Sequence, residues 1–210
     1  MAQRPFFYSK SSYIRQADVD FTWYSGFAVS QKQKSIASMH GAIKREGYVP
    51  LEVSTKSQNE LGRRLSAFNL KLDGYYLENI FQSSKVFEAG GPYTDLLKVE
   101  PKTAKRDERL RSSGSLVCFR YKGEDWPLLP RTAFYDYVYY CAVRETLSED
   151  DLKELKKYTA FTDIEFNPNK SLNTQARSIA IVRLILEQCG KLPEMSREEF
   201  LKFQKACVRG

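Results

Sequence analysis

Apolar positions along the chain change period several times, and each change predicts an element. Residues 5 to 29 alternate aromatic and polar side chains, and Val19, Phe21 and Trp23 fall on one face at period two, which predicts a strand. Ile36, Met39 and Ile43 then recur at helical spacing. A helix is expected from Gln31 to about Arg45, with Ser30 as N-cap and Gly47 closing it. "VPLEVST" reads as a second strand, and Asp73-Gly74 as a turn. "LENIFQSSKVFEAGG", residues 77–91, reads as one helix stopped by Gly90-Gly91-Pro92. A short helix is expected after Pro101, and "SLVCFRYKGEDW" is expected to be a strand with a glycine turn. Thr132 can cap "AFYDYVYYCAVRET". Ser148 and Asp151 form a capping box for "EDDLKELKKY", and Ser196 and Glu199 form another before the last helix. "FNPNKS" is a loop, and "NTQARSIAIVRLILEQCG" is apolar enough to cross the core as a helix.

Helices outnumber strands, so the expected class is α+β: a mostly helical single domain over 1–210 with a few short strands. Its core is expected over about 20–188, with a helical extension over about 189–210. The 42% hydrophobic content supports a sizeable core. No run approaches the ~20 apolar residues of a membrane span, and "MAQRPFFYSKSSYIRQ" has no apolar stretch of the secretory kind. No membrane partner is expected.

Charge and rare residues narrow the chemistry. A formal charge of +7 favours polyanionic partners, nucleic acid first, although an ordinary basic protein carries the same balance. Cys118, Cys141, Cys189 and Cys207 are too far apart in sequence for a paired metal motif and read as free thiols of a reducing cytoplasm. His40 is the single histidine and reads as structural. No metal site and no cofactor are expected, so acid–base work falls to Asp, Glu, Lys or Tyr.

Four stretches carry candidate chemistry. On an ideal helix Glu78, Gln82 and Lys85 lie within about 60° of one another. They form either a solvated polar face or a cleft wall with an acid, an amide and an amine. Lys102, Lys105, Arg106 and Arg109 share one helical stripe, either a phosphate-binding surface or a solvated face neutralised by Asp107 and Glu108. Lys32 and Lys34 sit at a helix start, where cations oppose the helix dipole and an amine titrates lower. Asp163, Glu165, Asn167, Asn169 and Asn173 surround a loop, where turn chemistry and capping are the plain alternative to a site. The aromatics of "AFYDYVYY" read as core.

"LSAFN" at 65–69 followed by "LENIFQSSKVF" at 77–87 resembles the paired signature of the NADAR superfamily, a "SNF" element and a "vEhxfQxxKf" helix. The matching positions are Ser66, Asn69, Glu78, Gln82, Lys85 and Phe87. "EPKTAKRDERL" resembles the family's "p..Ak..gr" segment. "FTDIEFNPNKSLNTQA" stands where the family has "ivEas..D..WG", with Glu165 as the match. Asn79 replaces the motif histidine, Ala67 interrupts "SNF", and the "WG" is absent. "WYSGFAVSQKQKSI", "FQSSKVFEAGGPYTDLL" and "EDWPLLPRTAFYDYVYYCAV" are similar to the subgroup encoded beside DarT-type toxins that modify DNA.

The resemblance implies an antitoxin hydrolase that removes ADP-ribose from guanine in single-stranded DNA, with ADP-ribose as product and a cognate DarT-type toxin as partner. In the implied mechanism Glu78 is the acid/base, and Lys34, Lys85 or Lys32 forms a Schiff base with the sugar. Ser66, Asn69 and Gln82 would orient ribose; Asp163, Glu165 and Asn173 would hold sugar hydroxyls or water; Lys102, Lys105, Arg106 and Arg109 would hold the DNA backbone. Two other functions fit: an N-glycosidase of riboflavin-pathway ribosylamines, as in other family members, and a non-catalytic basic module that binds nucleic acid or toxin.

Overall fold

The structure is a computed structural model and describes residues 1–10, 12–167 and 174–207. In chain order the elements are β1 (Ala2–Lys10), β2 (Tyr13–Phe21), α1 (Val29–Arg45), β3 (Pro50–Glu52), α2 (Glu60–Arg64), β4 (Lys71–Leu72) and β5 (Tyr75–Tyr76). Then come α3 (Leu77–Ser83), β6 (Lys85–Phe87), a 3-10 turn (Thr94–Lys98), α4 (Pro101–Arg106), α5 (Arg109–Ser112), β7 (Leu116–Tyr121) and β8 (Glu124–Trp126). The chain ends with α6 (Ala133–Thr146), α7 (Glu149–Leu155), β9 (Ala160–Thr162), α8 (Gln175–Cys189) and α9 (Arg197–Cys207). The class is α+β with helix in excess of strand, as the sequence predicts. Among the described residues no helix is long and apolar enough to cross a membrane.

The contacts divide the chain into two units, one built from 1–66 and 147–210, the other from 67–146. The first holds a sheet in the order β2-β1-β9-β3. β1 and β2 pair antiparallel from Ala2↔Phe21 to Lys10↔Tyr13. β9 joins β1 antiparallel and β3 parallel, with Phe161 opposite both Phe7 and Leu51. Phe6, Val19 and Phe21 of the sheet bury against Ile36, Met39 and Ile43 of α1, the helical stripe seen in the sequence. α8 buries Ile179, Ile181, Leu184 and Ile185 and packs on β1, β2 and β9. Its N-cap is Thr174, whose hydroxyl accepts from Ala176 N at 3.3 Å. The Ser148–Asp151 capping box of α7 is formed from both sides.

In the second unit β4 and β5 make a hairpin about Asp73 and Gly74, both at positive φ. β6, β7 and β8 form an antiparallel sheet. Its core is aromatic: Phe134 of α6 lies 4.7 Å from the Phe119 ring and 5.5 Å from that of Trp126. Phe81 of α3 lies 5.3 Å from Phe119 and meets Tyr135 edge-on at 5.0 Å. The α6 aromatics are core, as expected from their spacing.

Several boundaries differ from the sequence reading. The one strand expected within residues 5–29 is two, β1 and β2, and Trp23 lies beyond the end of β2 at Phe21. α1 begins at Val29 after Ala28, which makes no side-chain cap, so Ser30 lies inside the first turn. β9 was not expected, because Ala160–Thr162 is short, buried throughout and lacks an alternating pattern. The helix from Leu77 stops at Ser83, and Lys85–Phe87 is a strand. Ser83 and Ser84 both turn their hydroxyls back to Ile80 O, at 3.1 and 2.7 Å. This competes with helix propagation, and β-branched Val86 pairs with Cys118 of β7 instead.

Candidate active site

Two polar constellations stand out, one in each unit. In the 67–146 unit α3 starts from Leu70 and Ala67, whose carbonyls accept from Leu77 N at 2.9 Å and Glu78 N at 3.0 Å. Ala67 and Leu70 therefore seat the first turn of the helix. Glu78 and Gln82 stand one turn apart and are each only 5% exposed, which rules out the solvated-face alternative. Gln82 Nε2 donates to Glu78 Oε1 at 2.8 Å, and Lys85 Nζ donates to Gln82 Oε1 at 2.7 Å. The three side chains form one file although Lys85 is on β6 and not on the helix, which corrects the shared-stripe expectation. Lys85 Nζ also lies 4.9 Å over the Phe81 ring. Burial lowers the Lys85 amine to about 8; Glu78 pulls it back up and Lys105 lowers it further. Lys105 Nζ stands 3.6 Å from Glu78 Oε1 and 5.1 Å over Phe68.

Gly91 lies behind this file at a φ of +90°, and a Cβ there would meet the Lys85 carbonyl oxygen. Only glycine lets the chain pass so close to the backbone that carries the amine. Asn79, where the motif has histidine, donates to Leu96 O at 2.8 Å and Val99 O at 2.6 Å. It ties α3 to the 3-10 turn. Asn69 is exposed, and Ser66 is fully buried.

The basic stripe is not continuous. α4 ends at Arg106 and α5 starts at Arg109, so Arg109 leaves the face of the other three. Asp107 is the break: its carboxylate accepts from Arg109 N at 3.0 Å and from Arg109 Nε at 2.9 Å. Arg109 is also paired with Asp95 at 2.6 Å and lies 4.4 Å over Tyr93. Lys105 faces Glu78. Lys102 and Arg106 remain on the surface and line, with Thr103, Asp107 and Glu108, a recess of about 340 Å³.

In the other unit Glu52, 2% exposed on β3, accepts from Thr162 Oγ1 at 2.6 Å, Ser54 Oγ at 2.6 Å and Ile164 N at 2.9 Å. His40 Nε2 contacts Thr162 Oγ1 at 2.8 Å. Burial, with Lys44 adding to it, holds His40 down to about 4, so the ring is neutral. Burial and the neighbouring Glu52 push the Asp163 carboxyl up, and Glu52 is pushed up by its own burial. Glu165 N donates to Asp163 Oδ1 at 3.1 Å, and the Glu165 carboxylate meets Lys32 at 3.6 Å. Lys32 lies 4.5 Å over Trp23, while Lys34 is exposed. Asn173 and Asn169 fall outside the described residues. Glu52, Ser54 and Thr162 escaped the sequence reading. The signal was an acid between Leu51 and Val53 in an otherwise apolar strand.

The family model of the DarT1-associated NADAR antitoxins matches the chain over residues 2–208. The chain belongs to this family. No curated protein matches it. In this NADAR protein Gln82 bridges Glu78 and Lys85, and Asn79 has a structural task.

Proposed function

We propose that this NADAR antitoxin hydrolyses the bond between ADP-ribose and guanine in DNA, undoing the modification made by a DarT1-type toxin. The observation that carries this reading is the file Glu78–Gln82–Lys85, with its lysine lowered to about 8 by burial. At pH 7 roughly a tenth of such an amine is neutral, against about three parts in ten thousand for an unshifted lysine. That favours Lys85 over Lys34 and Lys32 as nucleophile, since Lys34 is exposed and Lys32 is paired with Glu165.

The bond to be broken is an aminal between ribose C1 and an exocyclic nitrogen. In the proposed path Glu78 gives a proton to the ring oxygen, the C1–O bond opens, and an iminium forms between C1 and the guanine nitrogen. Neutral Lys85 adds to C1. A proton passes by way of Glu78 to the guanine nitrogen, guanine leaves, and a lysine–sugar imine remains. Water adds to this imine, the lysine departs, and ADP-ribose is released. One water is consumed and both side chains return to their starting state. Gln82 keeps the acid and the amine in register. Lys105, 3.6 Å from Glu78 Oε1, stabilises the carboxylate that remains once Glu78 has given its proton.

Borohydride added during turnover tests the path, because it reduces an imine to a stable secondary amine. The sugar is expected on Lys85 in the wild type and absent from Lys85→Arg. Adduct on Lys32 or Lys34 would move the nucleophile. Turnover without any trapped lysine would remove the imine and leave a direct hydrolysis assisted by Glu78.

A further inference from the structure

Residues 22–28 run between β2 and α1, and of these and the first two residues of α1 only Trp23 is even partly covered. Phe27 is fully exposed at 107%, Val29 is 48% exposed and Tyr24 39%. Leaving a phenylalanine in water forgoes about 1.5–3 kcal/mol of burial, so the segment is not shaped by the needs of the fold. Its backbone is nevertheless held. Thr22 N donates to Ser38 Oγ at 3.0 Å, Tyr24 N donates to Ser35 Oγ at 2.9 Å, and Gln31 N donates to Ala28 O at 3.0 Å. Gly26, at a φ of +128°, turns the chain between the two aromatics.

Charge says what would cover the aromatics. From Thr22 to Lys34 the only charged residues are Lys32 and Lys34. Trp23 is flanked by two cations, Lys32 at 4.5 Å and Arg4 at 5.5 Å. Exposed π-faces beside cations match a strand that offers bases and phosphates together. We propose that segment 22–30 is a stacking platform for unpaired bases of single-stranded DNA, with Phe27 and Tyr24 taking bases and Lys34 the backbone between them. The idea rests on the reading that the substrate is single-stranded DNA.

The test is fluorescence anisotropy with an unmodified single-stranded oligonucleotide, so it does not depend on hydrolysis. Phe27→Ala is expected to raise Kd about five- to tenfold with an unchanged slope of log K against log salt, and Phe27→Trp is expected to restore binding. Lys34→Ala is expected to reduce that slope by about 0.7, the value for one single-strand phosphate contact. Duplex DNA of the same sequence is expected to be insensitive to Phe27→Ala, since its bases are stacked already. Single-strand binding that Phe27→Ala leaves unchanged overturns the proposal. So does the case in which Phe27→Ala weakens binding to a DarT1-type toxin and not to DNA, which would make the segment a protein-docking surface. Loss of hydrolysis with Phe27-dependent binding intact would fault the catalytic reading alone.

Discussion

Lys85 and His40 show how position sets the work of a side chain. Both titrate below their ordinary values because of burial, yet their consequences differ. In its proposed role as nucleophile Lys85 reacts as the free amine, so activity is expected to rise with pH and to reach half its maximum near 8, not near 10.5. A single-turnover pH profile checks this, and Lys85→Ala should lower the rate at least about 100-fold. For His40 the native state resists the proton while the unfolded chain accepts it near 6.5. The unfolded state then binds more protons between about 6.5 and 4, so stability falls as pH falls through that window, by roughly 3 kcal/mol at its lower end. Urea unfolding at several pH values checks the sign, and His40→Gln should flatten the dependence relative to the wild type. At this scale the sequence was legible where a motif named residue types: glutamate, glutamine and lysine are in contact. Their burial was not legible, because spacing on a helix is the same for a wet face and a dry one. Glu52 was invisible because three of its partners, Ser54, Thr162 and Ile164, are brought to it by strand pairing and a loop.

Elements fix where those residues end up. The expected single helix over 77–89 is α3 followed by β6, and this change of element keeps the lysine within reach of Gln82. Serine back-bonding and a β-branched residue cause the break; both were in the sequence, but apolar periodicity does not weigh them. The capping box of α7 was legible because it is local. The α4–α5 break at Asp107 was not, since it depends on a side chain capturing Arg109. Gly91 offers a test of backbone placement. Gly91→Ala adds left-handed strain and a clash with the Lys85 carbonyl, about 2–4 kcal/mol together. Gly47→Ala, at a φ of +87° with nothing within 4 Å, should cost only the strain, about 1–2 kcal/mol. Thermal or urea unfolding ranks the two, and only Gly91→Ala should also lower activity.

For the whole molecule the question is what a charge of +7 is for. It is the excess of 33 basic over 26 acidic side chains, and several basic ones are paired within the chain: Arg109 with Asp95 and Asp107, Arg64 with Asp151, Lys122 with Asp73. Lys102 and Arg106 are exposed beside a recess. Alanine at either should lower the salt slope of single-stranded DNA binding by about 0.7. Arg109→Ala should change it less and should cost stability instead. Antitoxin family membership and a basic surface agree with a substrate that is DNA rather than a small ribosylamine. The decisive measurement is the fate of ADP-ribose on guanine in single-stranded DNA incubated with the purified protein, with Glu78→Gln and thymine-modified DNA beside it. Loss of the guanine adduct with release of ADP-ribose, abolished in Glu78→Gln and absent on thymine, is the expected result; a guanine adduct that persists with the wild-type protein, or that Glu78→Gln removes at full rate, would contradict it.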